Sequence, residues 1–293
     1  DARPLCSGVL APGFALFDAQ RRPEFGYGVF PNVLTSIELE RILSATGPHL
    51  SHLLRPSDGA IPEKIAFIQC VGSRDAKCGN DYCSSVCCMY AVKEALIAKE
   101  HVRSVRPTIF NMDIRAYGKG FDAYYERAKA DDVRFIKCMV SKVREKPKTN
   151  NLVVTYLSEE GETIEEEFDL VVLSLGMTIS QSVRDMTARL GVKLNRFGFC
   201  ETETFTPLAT SRKGIYVCGA FQSPKDIPET VAQASGAAAA ASGIIASARE
   251  TLTTKKEYPP EDETKPEEEA RIGVFVCHCG INIGGVVNVP AVK

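Results

Sequence analysis

Five short apolar runs punctuate the chain: "KIAFIQC" (64–70), "TIFNMD" (108–113), "VRFIKC" (133–138), "DLVVLSLG" (169–176) and "GIYVCGA" (214–220). Each has the length and composition of a buried strand. Helical patterns lie before and between them. "TSIELERIL" offers Thr35 or Ser36 as a cap and Ile37, Leu39, Ile42 and Leu43 as an apolar face. A second helix is predicted from about Cys83 to Lys99, a third over "GFDAYYERAKA", and a long Ala-rich one from about Ile227 to Arg249. Three alternating runs, "MVSKVREK", "NLVVTYL" and "ETIEEEF", predict a small antiparallel meander. Strands alternating with helices imply a parallel sheet with helical crossovers, an α/β fold.

Residues 250–270 are charged, contain prolines and have little to bury, which predicts a linker. "RIGVFVCHCGINIGGVVNV" then predicts a new apolar strand opening a second module over 271–293. The chain begins with Asp and ends inside a Gly/Val-rich run, and is expected to be a piece of a larger polypeptide. Its 293 residues carry a net charge of -2, so no global field favours nucleic acid or an anionic membrane surface. No apolar run reads as long enough to insert in a bilayer.

Composition changes the picture at one point, the eleven cysteines. The odd count, the adjacent pair Cys87-Cys88 and the missing leader weigh against a disulfide framework and for soft metal ligands in a reducing cytoplasm. Five of them crowd the strand–turn–helix at 67–100. Dinucleotide turns use glycines where the backbone approaches a pyrophosphate. Here Cys70-Val71-Gly72-Ser73-Arg74 keeps one glycine, and NAD(P) binding is not expected. Cys83 and Cys87, four apart, share a face if both are helical; Cys88 is adjacent, and Cys70 returns from the strand end. Four thiolates suit a [4Fe–4S] cluster or zinc. Cys78 is a second-choice ligand.

At the other end of the fold, a strand ends at Gly219, a loop carries Lys225 and Asp226, and a helix begins near Ile227. Asp226 and Glu229 have the form of a capping box, and Pro228 fits the first turn. Such a helix start can stabilise negative charge on a reduced flavin, or be an ordinary capped helix. Lys225 reads either as a solvated loop lysine or as a cation beside the flavin. Cys277 and Cys279 flank His278 but are only two ligands. Cys6, Cys138, Cys200 and Cys218 read as buried small residues.

"IQCVGSRD" with "YCSSVCCMYAVKEA" resembles the signature of the A subunit of CoB–CoM heterodisulfide reductase. "KGFDAYYERA", "GAFQSPKDIPETVAQASGAAA" and "RIGVFVCHCGINIGGVV" are similar to further stretches of that family. The resemblance implies an iron–sulfur flavoprotein with a thioredoxin-reductase-like, two-domain dinucleotide-binding fold. It implies cluster ligands Cys70, Cys83, Cys87 and Cys88, and FAD beside Gly13, Gly219, Ala220, Lys225, Asp226, Ile227, Val231 and Gln233. Two departures stand out. Ala220 occupies a position where related proteins commonly carry Asp, and Pro12 in Ala11-Pro12-Gly13 removes a backbone donor. The main FAD GxGxxG is not in this chain.

The implied layout is 1–60 as part of an FAD domain, 61–172 as an inserted NADPH-domain-like unit holding the cluster, and 173–249 as the rest of the FAD domain. The implied oxidoreductase passes electrons within a complex, with no catalytic acid, base or nucleophile of its own. FAD would divide electrons between a disulfide branch and a ferredoxin branch. The expected partners are the disulfide-reducing and electron-donor subunits, ferredoxin, and a second copy or tandem module of the same kind. A quinone-linked flavoprotein of sulfate reducers and a zinc-stapled binding module remain the alternatives.

Overall fold

The computed structural model describes residues 7–251, 254–261, 268–278 and 283–292. In chain order the strands and main helices are β1 (Gly8–Leu10), β2 (Ala15–Leu16), β3 (Val33–Thr35), α1 (Ser36–Leu43), β4 (Lys64–Val71), α2 (Cys87–His101), β5 (Arg106–Asn111), α3 (Phe121–Ala130), β6 (Arg134–Lys137), β7 (Val140–Lys146), β8 (Asn151–Leu157), β9 (Thr163–Phe168), β10 (Leu170–Leu175), β11 (Met177–Thr178), α4 (Gln181–Leu190), β12 (Ile215–Val217) and α5 (Ile227–Ile245).

Five parallel strands form the central sheet in the order β3-β10-β4-β5-β6. Its strands β4 and β10 are apolar at nearly every buried position, Gln69 and Ser174 being bonded to each other, and successive residues serve opposite faces. Ile65, Phe67, Leu170 and Val172 pack with Leu39 of α1, Ala91 and Ala95 of α2 and Ala128 of α3. Ala66, Ile68, Val171 and Leu173 pack instead with Phe17 and with Val143, Val154 and Phe168 of the antiparallel meander β7-β8-β9. The sheet is thus covered by helices on one face and by the meander on the other. Thr35 caps α1 in a capping box with Glu38. β3 and α1 therefore belong to this sheet and its helical layer, although they precede residue 60.

A smaller layer surrounds it. β1 and β12 pair in parallel, with Leu10 opposite Val217, and β2 pairs antiparallel with β11. A third apolar cluster there gathers Ile179, Val192, Phe199, Val217 and Phe221.

Three expectations change. α2 starts at Cys87, not Cys83, because Ser85 takes a left-handed φ of 64° that no helix tolerates. Residues 271–278 form no strand and are exposed, for among the described residues no edge pairs with them. The stretch Ile227–Ala248 is long and apolar enough, by length and composition alone, to cross a membrane, contrary to the sequence reading. Its hydropathy comes largely from alanines, the small side chains that let a helix lie close to another backbone. α4 was not predicted: it is mostly polar, with Ser180 accepting from Val183 N as its cap.

Candidate functional site

The site grows from the end of β4. Cys70 lies in the left-handed region at φ 60°, so the strand turns sharply where its pairing with β10 is irregular. Such a conformation in a non-glycine residue persists only where surroundings enforce it. Ser73 N bonds to Cys70 O at 3.3 Å and closes the turn. Gly72 follows at φ +74°, and a Cβ there would run into the Phe17 ring. The chain then makes a small hairpin, with Asp75 bridged to Asn80, Arg74 N donating to Tyr82 O at 2.8 Å and Asn80 Nδ2 to Gly72 O at 3.0 Å. After Cys83 and Ser85 it enters α2 at Cys87 with no side-chain cap.

This path brings three thiols together. Buried Cys87 lies beside Cys70 and Cys88, and those two thiols together with burial push its pKa up. The neighbouring Cys87 thiol lowers Cys70, with help from the Arg74 charge, and brings Cys88 down to about 7, with help from the Arg115 backbone. Cys88 Sγ also lies 3.8 Å from the Asp113 carbonyl oxygen. Cys83 sits on the loop, its sulfur accepting Ser85 N at 3.3 Å, and it faces the Arg115 charge. Of the four predicted ligands, three are gathered and the fourth stands across Arg115. Cys78 turns elsewhere, its thiol donating to Asp75 at 3.3 Å while it packs on the meander-side core. Among the described residues no three His, Cys, Asp or Glu side chains stand in finished metal-binding geometry. The donor chemistry nevertheless fits a soft metal centre: thiols at a buried strand end, with two guanidiniums to offset thiolate charge.

The predicted flavin residues also converge. Gly13 and Gly219 follow the adjacent parallel strands β1 and β12, and both have positive φ, 76° and 74°. Gly13 has open space around it. Gly219 and Ala220 form a short helical turn, and Gly219 N donates to Gln233 Oε1 at 3.0 Å. Asp226 accepts Glu229 N at 2.9 Å and Glu229 returns to Asp226 N at 3.2 Å, the capping box read from the sequence. Ile227 and Val231 leave an apolar pair exposed on the first turns of α5. Lys225 is not the solvated loop lysine of the first reading, for it is buried. Its ammonium donates to Gly219 O (3.0 Å), Gln222 Oε1 (3.0 Å), Ser223 O (2.7 Å) and Ser223 Oγ (2.9 Å). Burial pushes its pKa down to about 8. It ties its own loop together. Cys277 is exposed, and Cys279 and Cys6 lie outside the described residues.

Sequence reasoning missed the residues that fix the cysteine loop. Tyr82 OH donates to Met177 O at 2.6 Å and its ring packs edge-on against Phe197 and Phe199. Ser84 Oγ accepts Met177 N at 2.8 Å. Arg196 pairs with Asp81 at 2.9 Å. Also missed were Asp113 and Arg115. Their one signal was their place just beyond the carboxyl end of a parallel strand, where α/β sheets put their ligands.

Three comparisons bear on this arrangement. The profile of the pyridine nucleotide-disulphide oxidoreductases matches residues 78–238. The thioredoxin reductase of Lactococcus lactis superposes with a TM-score of 0.53 at 18% identity, over 82% of this chain and 66% of that one. The fold is therefore the two-domain dinucleotide-binding α/β fold of those flavoproteins, and the chain belongs to the pyridine nucleotide-disulphide oxidoreductase family. Within it, the chain is 46% identical over 239 residues to the iron-sulfur A subunit of the CoB–CoM heterodisulfide reductase of Methanocaldococcus jannaschii. It is 44% identical over 236 residues to the A subunit of the H(2)/formate:CoB-CoM heterodisulfide,ferredoxin reductase of Methanococcus maripaludis. Each match takes in 79% of this chain but 36% of the relative. The resemblance to the A subunit of heterodisulfide reductase is borne out.

Proposed function

We propose that this chain is the electron-relay portion of a heterodisulfide-reductase-type A subunit, holding a [4Fe–4S] cluster on Cys70, Cys83, Cys87 and Cys88 and contributing one wall of an FAD site. The carrying observation is that the left-handed turn ending β4 at Cys70 and the start of α2 at Cys87 and Cys88 set three thiols side by side, with Cys83 on the loop between them. FAD supplies a carrier that takes two electrons and releases them singly, and the cluster a one-electron step. The chain's own residues supply position and charge. The open backbone at Gly13 and the α5 start accommodate the cofactor, and Lys225 orders the loop of Gly219 and Ala220 that faces it. Tyr82 and Ser84 clamp the cysteine loop to Met177, on the strand leading back toward the flavin side.

We read the division of the chain as an FAD-side unit (1–60 and 173–249) interrupted by a cluster-bearing one (61–172), with β3 and α1 lending their pairing to the latter. The relatives' names support a complex with disulfide-reducing and electron-donor subunits, and one of those names includes ferredoxin, so division of electrons between a disulfide and a ferredoxin branch is the reading we favour. A cytoplasmic location and a homodimer or tandem module belong to the same proposal.

Anaerobic reconstitution with iron and sulfide tests it. The expected product is brown, with about four iron and four sulfide per chain, and Cys87→Ser loses most of both while Cys78→Ala keeps them. A colourless protein that binds zinc instead overturns the reading in favour of a zinc-stapled module. Loss of iron in Cys78→Ala with retention in Cys70→Ala would show the ligand set to be wrong.

A further inference from the structure

Two cations flank the gathered thiols, and one carboxylate holds both. Arg74 pairs with Asp113, and Arg115 Nε lies 3.4 Å from the same Asp113 oxygen. None of the three is free in solvent: the side chains of Arg74, Arg115 and Asp113 are 21%, 29% and 45% exposed. The backbone fixes where they stand. Arg74 leaves the turn closed on Cys70 O and donates its N–H to the carbonyl of Tyr82, the residue before Cys83, so its backbone is tied to both cysteine-bearing segments. Arg74 is itself left-handed, at φ 54°. On the other side, Asp113 brings its carbonyl within 3.8 Å of Cys88 Sγ, and Arg115 follows two residues on, its charge facing Cys83. The short segment after β5 thus crosses over the thiols and carries its cation with it.

We propose that Arg74 and Arg115 are positioning residues that set the reduction potential of the cluster held by the four cysteines, with Asp113 anchoring both guanidiniums beside the sulfurs. The inference rests on the cluster reading given above. An added electron makes a thiolate-bound cluster more negative, so a fixed cation beside it favours the reduced form and a fixed anion opposes it. Two guanidiniums against one carboxylate leave a net positive surround. Half-burial keeps that charge from being screened as it would be on an open surface. Asp113 plays two opposed parts: its charge lowers the potential, while its ion pairs keep the cations in place.

The test compares Arg74→Gln, Arg115→Gln and Asp113→Asn in the whole protein, with iron and sulfide assays and a dye-mediated redox titration followed by electron paramagnetic resonance. Each arginine variant should move the cluster midpoint down by about tenfold in the reduction equilibrium, about 59 mV for one electron. Asp113→Asn removes the carboxylate charge but leaves an amide oxygen that accepts from the guanidiniums, so it should move the midpoint up, provided the iron content stays that of the wild type. Unchanged midpoints, or shifts of one sign in all three variants, with iron intact, would overturn the proposal. If an arginine variant loses iron, Arg74→Lys or Arg115→Lys should restore both iron and midpoint. A lysine variant that fails to do so assigns the arginine to folding and ends the inference. A wild-type protein that takes up no iron removes the cluster reading itself, a result distinct from any of these.

Discussion

Ser84 Oγ accepts the backbone N–H of Met177 at 2.8 Å, inside a fully buried contact between the cysteine loop and the strand that leaves the central sheet. Tyr82 meets the other polar group of the same peptide residue, donating to Met177 O at 2.6 Å. One residue of the connection is therefore held from both sides by the loop that carries Cys83. Ser84→Ala leaves a buried N–H without a partner and should cost about 1–3 kcal/mol. Tyr82→Phe keeps the ring contacts and should cost less, about 1 kcal/mol. Urea denaturation midpoints at constant slope measure both. A Ser84→Ala midpoint equal to the wild type would show that the clamp contributes nothing.

Glu94 offers a pH prediction. It sits in α2, 2% exposed, with one carboxylate oxygen lacking any hydrogen-bond partner, and burial, with Glu40 nearby, raises its pKa to about 9. The folded protein therefore keeps this proton between the ordinary carboxylate range near 4.5 and about pH 9, where the unfolded chain has lost it. Where the folded state binds more protons, stability falls as pH rises, here by up to about 1.4 kcal/mol per unit for one group. Glu94→Gln should flatten that decline and be more stable than the wild type at pH 8, with the advantage shrinking toward pH 5. Thermal melts at the two pH values decide it; parallel curves for the two proteins would remove Glu94 as the cause.

Four of the central sheet's five strands were legible because they are nearly continuous apolar runs, whereas β3, three residues long, shows no such run; the meander was legible because its alternation has period two. The capping boxes at Thr35 and Asp226 were legible too, as short local patterns. What stayed hidden depended on contacts far apart in sequence. The left-handed turn at Ser85 that delays α2 has no composition signal, and so Cys83 was placed on the helix. Asp113 and Arg115 meet Arg74 only after β4 and β5 pair, across 39 residues in the case of Arg74 and Asp113. Lys225 shows the same limit, since "QSPKD" gives no hint that its ammonium folds back on Gly219, Gln222 and Ser223.

Lys225 gives the third prediction. A buried ammonium serving four oxygens of one loop is a structural cross-link, so shortening it should loosen Gly219 through Asp226 before it changes anything electrostatic. Lys225→Ala is expected to cost about 1–3 kcal/mol and to raise hydrogen exchange over residues 219–226. In the FAD-loaded whole protein it should lower cofactor content as well as flavin potential. Retention of full FAD content with a lowered potential would instead assign Lys225 to tuning alone, and neither effect would return it to an incidental loop residue.

The last prediction concerns nicotinamide nucleotides, which the family's name brings to mind but the turn after β4 does not accommodate. Pyrophosphate binding at such a turn needs a helix N-terminus directly behind the strand and glycines that let the backbone approach. Here the one glycine, Gly72, lies against the Phe17 ring. The hairpin bridged at Asp75 and Asn80 then intervenes before α2 begins at Cys87. The α2 start is given over to Cys87 and Cys88, both buried. Carboxylates line the approach as well, since Asp75 pairs with Arg22 and Asp113 with Arg74, leaving those guanidiniums already engaged. NADH and NADPH should therefore show no saturable binding at concentrations up to about 1 mM, a weak-binding range of roughly -4 kcal/mol, and should not bleach the flavin of the whole protein. Equilibrium binding followed by nucleotide fluorescence, with rapid-mixing absorbance at the flavin band, measures both. Bleaching by NADPH alone within seconds would show that a nucleotide site exists after all, and the cysteine turn would have to be read as an addition to that site rather than its replacement.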